Sequence, residues 1–286
     1  QRLVAELHPN ILLLDYQMPG PRPADLERWV RENYSETATL VLTAHDHQSH
    51  MGVAYLSASF SPRQPQTVAL DVGLSGLRFS LVLFALFWIQ ELVGREIEKR
   101  TVLFALTYPV PRGQYLLGRF LGVAGLLALA AVLLGFLLWV VVLNAGGAYQ
   151  QAFAVAPGDA YWLTVFGLWV DSLVVAAFAL LLASLSTVPM LPLALGLAFA
   201  VAGKSLGAVM EYLAKGGDSS VAYLKPLIDR IAWVLPDLSR LDWRPWPMYG
   251  LPPDTTAVTA GLLMAAAYCG LLLALAVMKF NRREFE

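Results

Sequence analysis

The sequence predicts an all-α polytopic membrane protein with five visible transmembrane helices, preceded by a short, incomplete α/β segment. Three observations lead there. The 286-residue chain is 57% hydrophobic and 14% charged, where ordinary soluble domains carry about 25% charged residues. The deficit is uneven: residues 1–70 carry charge at soluble-like density, whereas 72–203 hold long stretches almost without it. Five segments also reach or approach the roughly 20 apolar residues that a spanning helix needs. The chain therefore divides into a polar segment, 1–50, and a membrane domain, 51–286.

The spans are expected at about 72–92, 115–143, 161–185, 188–202 and 256–278. The second is long enough to tilt, and the fourth is short and contains proline. Lys and Arg in short loops set the orientation. Arg95, Lys99, Arg100 and Arg112 lie between the first two spans, loop 144–160 has no Lys or Arg, and the tail carries Lys279, Arg282 and Arg283. Loop 94–114 and the tail are thus cytoplasmic, and loop 144–160 and segment 203–255 are external. This starts residues 1–71 outside with no apolar stretch to carry them across. A six-helix protein with both termini in the cytoplasm fits the pattern if one helix is missing ahead of residue 51. Within the external segment, "VAYLKPLIDRIAWVL" suits an amphipathic interfacial helix. "PDLSRLDWRPWPMYGLPPD" is too rich in Pro and Trp for a regular helix and suits a packed cap or aromatic belt, ahead of a substrate-binding loop.

Composition narrows the chemistry. A net charge of −1 carries no nucleic-acid footprint. The lone Cys269 excludes an intramolecular disulfide, and all four histidines, His8, His45, His47 and His50, precede residue 51. No metal site is expected in the spans, and "HDHQSH" reads as a solvated loop rather than a weak metal ligand. No cofactor is expected in this chain. Asp171 sits roughly mid-bilayer, where a carboxylate faces protein or water. It either pairs with Arg78 or bonds Ser172, or it lines a substrate or proton route. Glu91 and Lys204, at expected span ends, read as snorkelling charges.

Between the first two spans lies "ELVGREIEKRTVLFALTYPVPRGQYLLGRF". A mixed-charge helical run and an apolar run precede Pro109 and Pro111, which break any helix. The result is a cytoplasmic elbow pinned between two spans, either a docking element or an ordinary basic flank. The set Glu96, Glu98, Lys99, Arg100, Thr101, Pro109, Val110, Arg112, Leu117, Gly118 and Arg119 resembles the first cytoplasmic loop of ABC-2 type ABC transporter permeases, in the group associated with multi-copper-enzyme maturation. The tail "FNRREFE" and the external "VLPDLSRLDWR" resemble that family too, so the likeness runs over about 55–284. It implies a six-helix fold in the cell inner membrane and a second permease subunit, identical or not. It also implies a separate ABC ATP-binding subunit that brings ATP and Mg and docks on the elbow through Arg95, Glu96, Glu98, Lys99, Arg100, Thr101, Pro109 and Arg112. The chain has no glycine-rich phosphate loop of the G-x-x-x-x-G-K-[ST] type, so it is not expected to be an enzyme.

Residues 1–50 parse as strand "NILLLDY", turn "QMPG", helix "PADLERWVREN" and strand "TLVLTAHD". Over about 1–48 this resembles the central third of a response-regulator receiver, with Asp15 as phospho-acceptor and Thr43 as switch hydroxyl. The acidic pair that holds Mg²⁺ has no earlier strand to stand on, and the first lysine of the chain is Lys99. An inert fragment or chimeric junction with a vestigial acceptor is expected. The competing reading is a membrane-anchored two-component signalling protein phosphorylated at Asp15. A secondary transporter is disfavoured, because no inverted repeat of broken helices is visible.

Overall fold

The computed structural model describes residues 11–15, 38–42, 65–98, 111–145, 155–186, 188, 190–214, 228, 230–232 and 235–281. Two short strands, β1 (Ile11–Asp15) and β2 (Ala38–Leu42), pair in parallel, with Asp15 at the end of β1 opposite Leu42. Asp15 thus closes a strand, whereas Thr43 and the helix expected between the strands lie outside the described residues.

Among the described residues, the membrane domain holds five helices long and apolar enough to cross a membrane. They are α1 (Pro65–Ile89), α2 (Arg112–Asn144), α3 (Asp159–Leu185), α4 (Leu191–Ala214) and α6 (Thr255–Asn281). A short helix, α5 (Pro245–Tyr249), lies between α4 and α6. At its end α1 passes into a π-helical turn, Gln90–Gly94, and then one more α-helical turn, Arg95–Glu98. All-helical spans follow from the solvent, since a bilayer offers backbone N–H and C=O groups no partners outside their own segment.

The sequence spacing sets which face of each helix turns inward. On α2 the buried residues are Leu116, Phe120, Val123, Leu127, Ala131, Leu134, Leu138 and Val142. They are three or four apart and form one stripe along the helix. Leu121, Leu129, Leu133 and Phe136 point the other way and are exposed, a leucine-rich face suited to lipid tails. On α6 the stripe is narrower: Gly261, Ala265, Leu272, Ala276 and Phe280. Helix α3 differs, with 16 of its 27 residues buried. It sits at the centre and packs against α1, α2, α4 and α6. Its run of Ala176, Ala177, Ala179 and Ala183 lets neighbours approach closely, which is how helices associate where the hydrophobic effect offers little.

Polar side chains add directional contacts. The Tyr161 hydroxyl donates to the Gly135 carbonyl of α2 at 2.6 Å, and Trp169 Nε1 donates to the Ala124 carbonyl at 3.2 Å. Gly135 has no side chain to fend off Tyr161 and its neighbours; a Cβ there would sit 3.2 Å from Val165. Phe178 of α3 stacks on Phe199 of α4 with ring centroids 4.1 Å apart.

Two boundaries depart from the sequence expectation. The first span begins earlier, at Pro65 rather than about 72. The fourth does not end near residue 202 but runs to Ala214. The apolar run is interrupted by Gly203, Lys204 and Ser205, yet the helix continues through them; Pro192, its second residue, stands where a missing N–H costs nothing. Lys204 therefore lies inside a helix rather than at a span end, and residues 203–214 belong to α4 rather than to the external segment. The interfacial helix expected over 221–235 lies largely outside the described residues.

Candidate functional site

The bundle has two polar ends. At one, the end of α1 meets the start of α2 and the end of α6. Glu96 accepts from the Tyr115 hydroxyl and from Arg119 Nη2, both on α2. The Tyr115 ring stacks on Phe280 of α6 at 6.1 Å between centroids, and the Arg119 guanidinium lies 5.4 Å from the centre of the Tyr115 ring. Arg95 reaches back to Glu91 at 2.6 Å, one helical turn away, an exposed contact worth about 0.3–0.5 kcal/mol. The expected elbow thus opens on Arg95 and Glu96, and Glu96 ties it to α2. The side chains of Glu98 and Arg112, and Lys99, Arg100, Thr101 and Pro109 altogether, lie outside the described residues. The π-helical turn just before Arg95 is a feature the sequence reading missed. The backbone N–H of Arg95 bonds five residues back, to the Gln90 carbonyl. The Gln90 side chain folds against Gly94, and its Oε1 is buried without a partner among the described residues. Such turns mark places where helices are re-aimed.

At the other end, residues 236–250 fold over the helices as a cap. Asp237 starts a 3₁₀ turn, Leu238–Leu241, and accepts from Ser239 N at 3.1 Å and Ser239 Oγ at 2.5 Å. Pro245 opens α5, where proline is tolerated, and Gly250 closes it in the left-handed conformation with φ 66. The Trp243 carbonyl accepts from Thr164 Oγ1 of α3 at 3.2 Å, and Ala156 N donates to the Pro247 carbonyl at 3.0 Å. Gly167 of α3 and Gly207 of α4 make room beneath. A Cβ on Gly167 would stand 2.7 Å from the Leu241 carbonyl oxygen, and one on Gly207 would collide with Ser239. Leu238, Leu241 and Trp243 form the buried underside of the cap.

A ladder of charges runs from this cap into the bundle. Asp71, Ser75 and Arg78 recur at four and three residues along one face of α1. Arg244 of the cap binds Asp242 through two parallel bonds of 2.7 Å and reaches Ser75 Oγ at 2.6 Å and Asp71 at 3.3 Å. Asp242 Oδ2 also accepts from Lys204 of α4. Deeper, Arg78 Nε donates to Asp171 Oδ2 of α3 at 2.6 Å, with Asp171 only 1% exposed. Ser172, the alternative neighbour, donates instead to the Trp169 carbonyl at 2.6 Å. Three carboxylates, Asp71, Asp171 and Asp242, thus meet three cations, Arg78, Lys204 and Arg244. Such pairing is what allows charge inside a membrane domain. From the sequence Lys204 reads only as a snorkelling charge at a span end, and Asp242 and Arg244 are not singled out within the external stretch that holds them. The available signal was the alternation of Asp and Arg in "PDLSRLDWR" set against a lysine in an apolar helix.

Among the described residues no cluster of three or more His, Cys, Asp or Glu side chains fits a metal ion. Cys269 is a half-buried thiol on α6.

A bundle of five apolar helices, leucine-rich outside and charge-paired inside, defines a multi-pass integral membrane protein. Over 91 residues, or 30% of the chain, it is 40% identical to the probable ABC transporter permease protein NosY of Stutzerimonas stutzeri. It is 38% identical over 91 residues to the protein of the same name from Pseudomonas aeruginosa PAO1. The aligned part spans about a third of the length of these curated relatives, 32% in each. No family model matches the chain. With bacterial relatives of this kind, the membrane is the inner one.

Proposed function

We propose that the chain is the membrane-spanning permease subunit of an ABC transporter and couples ATP hydrolysis in a separate subunit to export of a substrate. The observation that carries this reading is the similarity to permease proteins combined with an elbow joined to two spans. Glu96, one residue into the elbow, is bonded to both Tyr115 and Arg119 of α2. A push on the elbow therefore acts on α1 and α2 together. ATP and Mg belong to the ATP-binding subunit, whose approach on closing would be passed to the bundle through the elbow, residues 94–114. A second permease subunit completes the transporter.

The test is co-purification from membranes with the cognate ATP-binding subunit. Arg100→Glu, or replacement of both Pro109 and Pro111, is expected to weaken recovery of that subunit about ten-fold or more, the effect of placing like charge or lost shape at an interface centre. Recovery equal to that of the unaltered chain counts against the elbow as the docking element. The competing reading, phosphorylation at Asp15, draws on the parallel β1–β2 pair that ends at this residue. Incubation with a small phosphodonor separates the two, since a permease with a vestigial acceptor takes up no label at Asp15.

A further inference from the structure

Tyr115 stands where both ends of the elbow meet. Its hydroxyl donates to Glu96 at the start of the elbow, and its backbone N–H donates to the Pro111 carbonyl near the end, at 3.2 Å. Arg119, one turn further along α2, takes the other oxygen of Glu96 and lies over the Tyr115 ring. That ring stacks on Phe280 with 17° between the planes. Phe280 is fully buried and is the next-to-last residue of α6. A second close approach lies beside it: a Cβ on Gly113 would stand 2.9 Å from Val277 Cγ1, and Val277 shares a face of α6 with Phe280. The first turn of α2 and the last turns of α6 thus form one packed unit, and close packing transmits displacement.

We propose that Tyr115 is the positioning residue through which the elbow moves α6. The inference rests on the permease reading and extends it, since α6 then answers the elbow together with α1 and α2. Helix α1 runs into the elbow through the π-helical turn, and α2 begins at its end. Helix α6 is not joined to the elbow in sequence, so movement reaches it through side chains. Tyr115 offers that path, with its hydroxyl on the elbow and its ring on α6. A phenol ring is rigid, so displacing its hydroxyl displaces the face that Phe280 packs on. The competing path runs through α3, against which α6 also packs.

The experiment uses the complex with the cognate ATP-binding subunit, in a chain whose Cys269 is replaced by serine. Phe87 of α1 or Met278 of α6, both exposed on the outside of the bundle, is changed to cysteine and labelled with a bimane fluorophore. ATP is expected to shift the emission of both labels. Tyr115→Phe keeps the ring and removes the hydroxyl bond to Glu96. It is expected to abolish most of the shift at 278 and to leave the shift at 87. Phe280→Leu breaks the stack, leaves Glu96 bonded, and is expected to do the same. If Tyr115 only packs, α6 moves through α3 and the shift at 278 survives both variants. That result overturns the inference and leaves the permease reading standing. Equal loss at 87 and 278 overturns it too, as does an unaltered complex in which ATP shifts the label at 87 alone. With no ATP-dependent shift at either position in the unaltered complex, the permease reading fails and the inference with it. Should Tyr115→Phe shed the ATP-binding subunit, Phe280→Leu, which lies outside the elbow, decides alone.

Discussion

Removing Arg78 should cost far more than the pair it forms is worth. The Arg78–Asp171 contact is 2.6 Å long and the carboxylate is 1% exposed. Two unit charges about 4 Å apart attract by about 4 kcal/mol at an effective dielectric constant of 20, and desolvation of both offsets much of that. Arg78→Met leaves Asp171 buried with neither oxygen paired, and breaking a buried pair from one side costs about 3–5 kcal/mol. The double variant Arg78→Met/Asp171→Leu removes both charges and keeps the volume. It should return to within about 1 kcal/mol of the original or exceed it, since apolar replacements of buried pairs are often neutral or stabilising. The assay is reversible unfolding in mixed micelles, completed as a double-mutant cycle. If Arg78→Met alone stays within about 1 kcal/mol of the original, Asp171 has other support and the reasoning fails.

Other changes test the packing. Gly167→Ala sets a methyl 2.7 Å from a backbone carbonyl that has no rotamer to escape by. It should destabilise by about 1–3 kcal/mol, read as a lowered melting temperature in detergent. Tyr161→Phe deletes the 2.6 Å bond to the Gly135 carbonyl and should cost about 0.5–1.5 kcal/mol in the same assay. Asp254 precedes α6 and accepts from the hydroxyl and the backbone N–H of Thr256, which holds its carboxyl below the usual carboxylate value. Its contribution to the start of α6 is therefore present above the ordinary carboxylate pKa and disappears as pH falls through the lowered one. Amide protection at residues 256–258, taken relative to the intrinsic exchange rate at each pH, should fall over that window, and Asp254→Asn should flatten the dependence.

How much was legible follows from period and solvent. Apolar stripes such as Leu116–Phe120–Val123–Leu127 announce a spanning helix with one packed face, and α2, α3 and α6 lie within a few residues of their expected bounds. The fourth span was read short at its far end, where Gly203, Lys204 and Ser205 interrupt the apolar run although α4 continues to Ala214. That shift made Lys204 look like a span-end charge and concealed its pairing with Asp242, 38 residues away. Long-range polar pairs leave no local periodicity. Arg78 and Asp171 were suspected because each is a charge inside an apolar run; Asp242 and Arg244 sit in a polar loop, where charges draw no notice. The π-helical turn at Gln90–Gly94 is set by how the end of α1 packs, and nothing in the residues themselves requires it. The reading of 1–48 as part of a receiver finds no support among the known proteins the chain resembles; β1 and β2 pair in parallel with Asp15 at the end of β1, and the remaining parts of that expectation lie outside the described residues.

The central claim, that the elbow between α1 and α2 receives force from an ATP-binding subunit, is tested most directly by cross-linking in membranes. A cysteine at Thr101, in a chain lacking Cys269, is paired with cysteines on the surface of the cognate ATP-binding subunit. A cross-linked species is expected, with a yield that changes when ATP replaces the nucleotide-free state. A cysteine at the lipid-facing Leu121 should give none. A Thr101 cysteine that stays unlinked in both states, in a complex that still hydrolyses ATP, contradicts it.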